Sequence, residues 1–133
     1  MQPTDLTLSV LPDVFAVCQL PPTTPTPDWV TGSLVVVART AEELSIVCQE
    51  SAVPLGIPRE GGLRALRVEG ALDFSLTGIL AGISTVLAAV GITIFAISTY
   101  NTDYVLVRQA SLERALRALS LEGYHLVPSD GSA

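Results

Sequence analysis

The hydrophobic pattern changes its period inside one uncharged block, residues 74–102. Before Gly91, apolar side chains recur at intervals of three and four, which places them on one face of a helix. These side chains are Leu76, Ile79, Leu80, Ile83, Leu87 and Val90. Residues 92–99 are mostly β-branched or aromatic, a composition that favours a buried strand. The block is therefore predicted to be a helix that stops at Gly91 in the left-handed conformation, followed by a strand.

The flanking segments complete an order of elements. Residues 63–69 alternate imperfectly between apolar and charged side chains, as an opening strand would. The helix is predicted to start near Asp73, Ser75 or Thr77, since each of these side chains can cap it.

After the strand at 92–99, a hairpin is predicted to lead into a second strand at 104–108. Ser111 can cap a second helix, which Gly123 ends before a short strand at 124–127. The resulting order, β-α-β-β-α-β, is that of the ferredoxin-like split unit. It is an α+β fold in which an antiparallel sheet carries its helices on one face.

The first half of the chain contains short apolar runs. Residues 6–11 and 14–20 are joined by Pro12 and Asp13, a turn pair that predicts a hairpin. The tract PPTTPTP at 21–27 is expected to be an extended surface loop, because proline disrupts helix interiors and inner strands.

Two further strands are predicted at 33–39 and 44–48, followed by a short helix from Glu50 to Val53. A cluster of glycine and proline then predicts a linker, made of Gly56, Pro58, Gly61 and Gly62. The predicted order of elements in the first half differs from that in the second half. The two orders agree if the first half is permuted, so that residues 6–11, at its start, supply the strand that normally closes the unit. Since the first and last strands of a ferredoxin-like sheet are antiparallel neighbours, we treat this permuted arrangement as a hypothesis.

Three segments together resemble the ACT domain, an amino-acid-binding regulatory module: VEGALDFSLTGILAGI, GITIFAISTYNTDYVLV and SLERALRAL. More narrowly, the chain is similar to tandem-ACT proteins related to the CASTOR arginine sensors of animals, in a bacterial-type two-ACT form. STYNTDYVLVR is the most specific part of this resemblance, and ART-AEELSIVCQE in the first half matches loosely. The resemblance implies an N-terminal ACT-like unit at 1–60 and a C-terminal ACT domain at 61–133.

Composition narrows the possible partners. The 133 residues are 49% hydrophobic, enough for one core or for two small units that share one. The formal net charge is −6 and no basic stripe occurs, so nucleic acid and anionic membrane surfaces are poor partners. The N-terminal sequence lacks the basic start and apolar core of a signal peptide, which predicts a cytoplasmic protein.

A membrane-spanning helix is an alternative for residues 74–102, since this block exceeds the roughly 18 apolar residues at which a span is suspected. The break at Gly91 and the strand-like second half argue against it. So do the acidic flanks Asp73 and Asp103, where a span would carry Lys, Arg or Trp.

Catalytic and metal-binding patterns are poorly represented. The single histidine, His125, and the two cysteines, Cys18 and Cys48, do not make a zinc-ligand pattern, and the cysteines are expected to be free, buried thiols. Glu69, Asp73 and Asp103 have no nucleophile or base near them in sequence to suggest a reaction. We therefore predict a protein that is not an enzyme and needs no metal or cofactor.

A binding site for a small amino acid fits the pattern better. The opening of the first helix, Ser75 to Ile79, offers unpaired N–H groups and the positive end of the helix dipole to a carboxylate, and Gly78 permits close approach. Asp103 can offer its charge to the ammonium group. The resemblance implies contacts from Leu76, Thr77, Gly78, Ile79, Thr99, Tyr100 and Asp103. The alternative is that Ser75 or Thr77 only caps the helix and that Asp103 only makes the turn.

ACT proteins that bind amino acids typically hold the ligand between two ACT units, and the animal sensors carry four such units in one chain. A chain with two units would need a homodimer to rebuild that arrangement. A stripe of small residues on the first helix offers a close-approach surface for it: Gly78, Gly82, Thr85 and Ala89. The same stripe can instead serve packing within one unit, and the competing function is a ligand-free dimerisation or scaffold module.

Overall fold

The computed structural model describes residues 6–69 and 78–128. The chain divides into two compact units, an N-terminal unit of Pro12–Leu63 and a C-terminal unit that combines Met1–Leu11 with Arg64–Ala133. The strands are β1 (Thr7–Val10), β2 (Phe15–Leu20), β3 (Val36–Arg39), β4 (Leu44–Gln49), β5 (Arg59–Val68), β6 (Ile94–Ser98), β7 (Asp103–Arg108) and β8 (His125–Pro128), and the helices are α1 (Ile79–Ala89) and α2 (Leu112–Leu121).

The C-terminal unit has the predicted ferredoxin-like order with one strand added. Its sheet contains the end of β5 together with β7, β6, β1 and β8. β1 lies between β5 and β8, antiparallel to the first and parallel to the second, with Leu8 opposite both Val68 and Leu126. The predicted α+β fold is confirmed, but the strand from residues 6–11 belongs to this unit.

Both helices pack on one face of this sheet because their apolar residues recur at helical spacing. Ile83 and Leu87 of α1 and Ala115 and Leu119 of α2 are at most 1% exposed. They share a core with strand residues from β1, β5 and β7: Leu8, Leu66, Val68, Val105 and Val107.

The predicted helix stop at Gly91 is confirmed. Gly91 has φ +73°, its N–H donates to Ala88 O at 3.0 Å, and Ile92 N–H donates to Leu87 O at 3.0 Å. Leu87 and Ile92 also lie in the same core cluster. Gly123 ends α2 with the same pair of hydrogen bonds. Each helix therefore ends in a Schellman motif, whose φ > 0 position favours glycine.

The start of α1 is only partly described. α1 begins at Ile79, after Gly78 in the left-handed conformation. The predicted starts at Asp73, Ser75 and Thr77 lie outside the described residues, as does Leu76. No helix in 6–69 or 78–128 has the length and apolarity required to cross a membrane.

The N-terminal unit has the split-unit strand order without any permutation. β2 lies between β4 and the first part of β5, and β3 pairs with β4, all antiparallel. Taken as the four strands of a ferredoxin-like unit, β2, β3, β4 and β5 stand in the expected order β3-β4-β2-β5.

The predicted hairpin between residues 6–11 and 14–20 is therefore wrong, as is the permuted arrangement built on it. β1 pairs with β5 and β8. The strand that closes the N-terminal unit is the beginning of β5. Apolar runs and a turn pair predict strands, but they do not determine which neighbour each strand selects.

Gly61 and Gly62 form part of a strand rather than a linker. Phe15 lies opposite Leu63 while Val17 lies opposite Glu60, so β5 carries one extra residue in a β-bulge. Gly62 has φ +67°, and its N–H donates to Glu50 Oε1 at 2.9 Å. The predicted division at residues 60 and 61 stays a prediction, whereas the compact units divide at Leu63 and Arg64.

A loop and a single helical turn take the place of the two helices in the N-terminal unit. Its core on the strands consists of Ala16, Cys18, Leu44, Ile46 and Cys48, together with Val53. Trp29 and Val30, from the loop that contains the proline tract, pack against it. The predicted short helix is a 3₁₀ turn, Glu50–Ala52, and the predicted strand at 33–39 is shortened to β3 and mostly exposed.

Both cysteines are free and buried, as predicted. Burial, and then the neighbouring Cys48 thiol, raise the pKa of the Cys18 thiol to about 11. Burial also raises the pKa of Cys48. Both thiols therefore remain protonated at neutral pH and act as small apolar side chains.

Candidate functional site

The β6–β7 hairpin and the end of β5 are joined by a buried threonine. Thr102 is 7% exposed, and its Oγ1–H donates to Val68 O at 2.6 Å. Val68 is the last residue of β5, and α1 begins at Ile79, further along the same chain segment. The hairpin that carries Thr99, Tyr100 and Asp103 thus lies at the edge of the sheet where β5 ends.

The hairpin is closed by local hydrogen bonds. Thr99 N–H donates to Thr102 O at 2.8 Å, and Thr99 Oγ1 lies 3.1 Å from the same oxygen. Ser98 Oγ–H donates to Asp103 Oδ1 at 2.6 Å, across the register pair Ser98 and Asp103. The half-buried Asp103 carboxylate is thereby held in place with capacity to accept further hydrogen bonds. Tyr100 is 83% exposed, so its ring lies in solvent.

The start of α1 offers backbone groups rather than side chains. Gly78 O accepts the first helical hydrogen bond, from Gly82 N–H at 2.8 Å, so the N–H groups before Gly82 have no intrahelical acceptor. Ile79 is 9% exposed and its side chain belongs to the core. The first turn carries no acidic residue. An anion is favoured at this end of the helix.

Gly78 has a conformational reason to be glycine. Its φ is +82°, and a Cβ placed there would meet no atom within 4 Å. The backbone conformation, rather than a steric contact with described residues, is what disfavours other side chains.

A polar cluster at the end of β5 was missed by the sequence reasoning. Ser9 is 1% exposed, and its hydroxyl donates to Glu69 Oε2. Arg67 donates to the same oxygen from Nε and from Nη2, at 2.9 Å each. The Ser9 hydrogen bond, and then the Arg67 guanidinium, lower the pKa of the Glu69 carboxyl. Glu69 in turn raises the pKa of Arg67.

Alternation along β5 places Arg67 and Glu69 on one face of the sheet, and this signal was available in the sequence. The position of Ser9 opposite Arg67 was not, because it depends on the pairing of β1 with β5. Glu69 is thus a carboxylate with a fixed orientation near the predicted site.

The structure brings some of the predicted site residues together. Thr99, Tyr100 and Asp103 belong to one hairpin, and Gly78 and Ile79 form the start of α1. Ser75, Leu76 and Thr77 lie outside the described residues. That these residues form one ligand site stays a prediction. Among the residues that the structure describes, no group of three His, Cys, Asp or Glu side chains is arranged to hold a metal ion.

A comparison with family models detects an ACT domain at residues 59–120, the segment that contains β5, α1, β6, β7 and most of α2. A second model, described as an N-terminal domain, matches residues 13–56. No curated protein matches the sequence.

Three solved structures share the fold over nearly the whole chain. A protein of Agrobacterium tumefaciens has 29% identity and a TM-score of 0.88, with 96% of each chain covered. A Vibrio cholerae protein of unknown function has 21% identity and a TM-score of 0.72 over 92% of this chain and 93% of the other. The regulatory subunit of aspartate kinase from Thermus flavus has 11% identity and a TM-score of 0.60, over 87% and 96%. The chain shares its fold with these structures, and residues 59–120 match an ACT domain.

Proposed function

We propose that the chain is a tandem-ACT sensor that binds a small amino acid with the start of α1 and the β6–β7 hairpin. The observation that carries the proposal is the 2.6 Å hydrogen bond from Thr102 to Val68, which fixes the Asp103 hairpin to the end of β5. The fold and the detected ACT domain support a regulatory rather than a catalytic role. No arginine specificity is implied.

The chemistry assigns one end of the ligand to each segment. The N–H groups of the first turn and the dipole of α1 would receive the carboxylate, since α1 carries no charged side chain to compete. Asp103 would accept a charge-assisted hydrogen bond from the ammonium group, in addition to the hydrogen bond that it accepts from Ser98. Glu69 supplies a second negative charge near the end of β5.

The tandem character of the chain is supported by the strand order. The N-terminal unit repeats the ferredoxin-like order of the C-terminal unit, although a loop and a 3₁₀ turn stand where its helices would be. In residues 12–63, all of which are described, no α-helix occurs. In the described residues, an amino acid carboxylate therefore finds an α-helix N-terminus only in the C-terminal unit, at α1 or at α2, and the proposed site uses α1.

Completion of the site between two ACT units requires a homodimer, for which β6 is the best candidate surface. β6 pairs with β7 and carries the uncharged sequence IFAIS, and Phe95 is 40% exposed. Natural edge strands that stay monomeric usually carry charge, proline or a bulge. Gly82 has a different role, because a Cβ there would lie 3.1 Å from Tyr124 Oη of the same unit. Gly82→Leu would thus disturb packing within the unit, and Ala96→Lys on β6 is the better test of the dimer.

A scaffold function without a ligand is the second candidate. The hydrogen bonds of Asp103 with Ser98 and of Thr99 with Thr102 are those that a stable hairpin needs by itself. In that case the ACT fold would serve assembly only.

A thermal-shift screen of the common amino acids separates the two functions. A ligand that binds only the folded state stabilises it by about 2.7 kcal/mol at a hundred times its dissociation constant, which a melting curve detects. Asp103→Ala should abolish the shift, because it removes the partner of the ammonium group. Asp28→Ala, which removes an exposed carboxylate from the N-terminal unit, is the matched control and should keep the shift. If no amino acid shifts the curve at millimolar concentration, the scaffold function is the better one.

A further inference from the structure

The β6–β7 ladder ends in a serine and an aspartate that lie opposite each other. Ser98 is the last residue of β6, Asp103 is the first of β7, and the two are direct partners in the antiparallel register. The side chains of such partners point to the same face of a sheet. Asp103 alternates with Val105 and Val107, which lie in the core shared with α1 and α2. The Ser98–Asp103 pair therefore lies on the face of the sheet that carries the helices.

One oxygen of the Asp103 carboxylate is occupied by Ser98. The Ser98 hydroxyl donates to Oδ1 at 2.6 Å, a length typical of a hydroxyl donor on a charged carboxylate. In the part of the chain that the structure describes, Oδ2 accepts no hydrogen bond. The χ2 torsion of an aspartate has a broad distribution, and a hydrogen bond to one oxygen narrows it. Ser98 thus restricts the direction in which Oδ2 points.

The backbone that carries Asp103 is fixed through the preceding residue. Thr102 is 7% exposed, and its hydroxyl donates to Val68 O at 2.6 Å. Thr102 O in turn accepts from Thr99 N–H at 2.8 Å, which closes the hairpin. The backbone and the carboxylate are therefore both restrained before any ligand binds. An acceptor that is already ordered loses less entropy when a ligand binds to it.

We infer that Ser98 is a positioning residue of the proposed amino-acid site, and this inference rests on the proposed function. Its hydroxyl holds Oδ1 of Asp103, so that Oδ2 is the acceptor for the ammonium group, while Ser98 itself does not touch the ligand. The chemical class that the pair selects is a carboxylate with a protonated amino group beside it. A carboxylic acid without that amino group gives Asp103 no donor, and a site built to hydrogen-bond a group discriminates against the analogue that lacks it.

The N-terminal unit contains a serine–aspartate pair of the same kind. The Ser33 hydroxyl donates to Asp13 Oδ2 at 2.8 Å, and the Ser33 N–H donates to the same oxygen at 2.7 Å. In both pairs the serine is exposed and the aspartate is half-buried. Since Asp13 is not part of the proposed site, a Ser33 variant shows what the loss of such a hydroxyl costs the fold alone.

Two variants of nearly the same shape isolate the Ser98 hydroxyl. Ser98→Thr keeps a hydroxyl at the end of β6, and Ser98→Val replaces it with a methyl group. The first probe is the amino acid with the largest melting shift in the thermal-shift screen, and calorimetry measures its dissociation constant. Ser98→Val should raise this constant about two- to tenfold, because one side chain must then be ordered on binding. Ser98→Thr and the matched control Ser33→Val should keep the native value.

A second probe separates positioning from a general disturbance of the site. The carboxylic acid that has the same side chain and no amino group should bind the native protein, Ser98→Thr and Ser98→Val equally, including no measurable binding to any of them. If Ser98→Val weakens the binding of both probes by the same factor, the hydroxyl only stabilises the hairpin and the inference is wrong. It is also wrong if Ser98→Val binds the amino acid as the native protein does, or if Ser98→Thr binds it as weakly as Ser98→Val.

The proposed function would fail by a different result. If no amino acid shifts the melting curve of the native protein, or if the shift survives Asp103→Ala, the site is wrong and the role of Ser98 is wrong with it. If Asp103→Ala abolishes the shift while Ser98→Val leaves the dissociation constant unchanged, the site stands and only the positioning by Ser98 is overturned. Circular dichroism checks that each variant is folded, and Ser98→Ala takes the place of Ser98→Val if the valine disturbs the sheet.

Discussion

The two units share a strand order but cover their sheets by different means. In the C-terminal unit, Ile83 and Leu87 of α1 and Leu119 of α2 pack against large apolar residues of the strands. In the N-terminal unit, Trp29 and Val30 from a loop cover strands whose core includes the small side chains Ala16, Cys18 and Cys48. Small side chains therefore stand beside Leu44 and Ile46 under the loop, whereas the C-terminal sheet is covered by the apolar stripes of two helices.

This difference bears on where the proposed ligand site lies. In the described residues, α-helices occur in the C-terminal unit, whereas residues 12–63 contain none. The helix N-terminus that the proposed site needs for a carboxylate is therefore in the C-terminal unit.

The largest expected effect is a loss of unfolding free energy when a buried side chain of α1 is truncated. Leu87 is fully buried, so Leu87→Ala should lower the unfolding free energy by about 2–5 kcal/mol through lost burial and a cavity. Val30 is half-buried, and Val30→Ala should cost about 1 kcal/mol or less. Urea unfolding followed by circular dichroism measures both. Equal costs would contradict the contrast between a helical and a loop cover.

The sequence predicted most elements of both units and the β6–β7 hairpin, but it did not predict the pairing of β1. Period changes located α1, β6 and the stop at Gly91, since these depend on local spacing and on one backbone conformation. The placement of β1 between β5 and β8 depends on contacts between distant segments, which no local pattern encodes. The Ser9–Glu69 hydrogen bond was missed for the same reason. For the proposed site, Asp103 stays a prediction that rests on the hairpin pattern and the family resemblance together.

The bulge in β5 provides a prediction of intermediate size. A Cβ at Gly61 would lie 2.0 Å from Glu50 Oε2, so Gly61→Ala should displace the carboxylate that accepts from Gly62 N–H. Loss of a hydrogen bond to a charged group should cost about 1.5–3 kcal/mol. Glu50→Ala removes the same hydrogen bond and should cost a similar amount.

A double-mutant cycle decides whether these two losses are one event. The variant with both Gly61→Ala and Glu50→Ala should be little less stable than either single variant, because the clash and the hydrogen bond are removed together. Additive losses would show that the bulge is stabilised by something other than Glu50.

The smallest expected effect concerns Glu69, the carboxylate that accepts hydrogen bonds at the other end of β5. The pKa of Glu69 is lowered in the folded protein, first by the Ser9 hydrogen bond and then by Arg67. A lowered folded-state pKa contributes stability that is present above the unfolded pKa and is lost as the pH falls through the folded pKa. The window begins near the usual glutamate pKa of about 4.3 and extends below it.

Ser9→Ala removes the largest cause of the lowered Glu69 pKa. In this variant the pKa of Glu69 should return toward its ordinary value, and the loss of stability in acid should become smaller. Because the Glu69 side chain is 34% exposed, solvent screening should keep the difference below about 1 kcal/mol. Urea midpoints of the native protein and of Ser9→Ala, compared at neutral pH and near pH 3, measure it. The two proteins should differ most at neutral pH and converge in acid, because protonated Glu69 no longer favours the hydroxyl as a donor to a charge. If the urea midpoints of the two proteins differ by the same amount at all pH values, Ser9 stabilises the sheet by packing alone, and its hydrogen bond to Glu69 contributes no measurable stability.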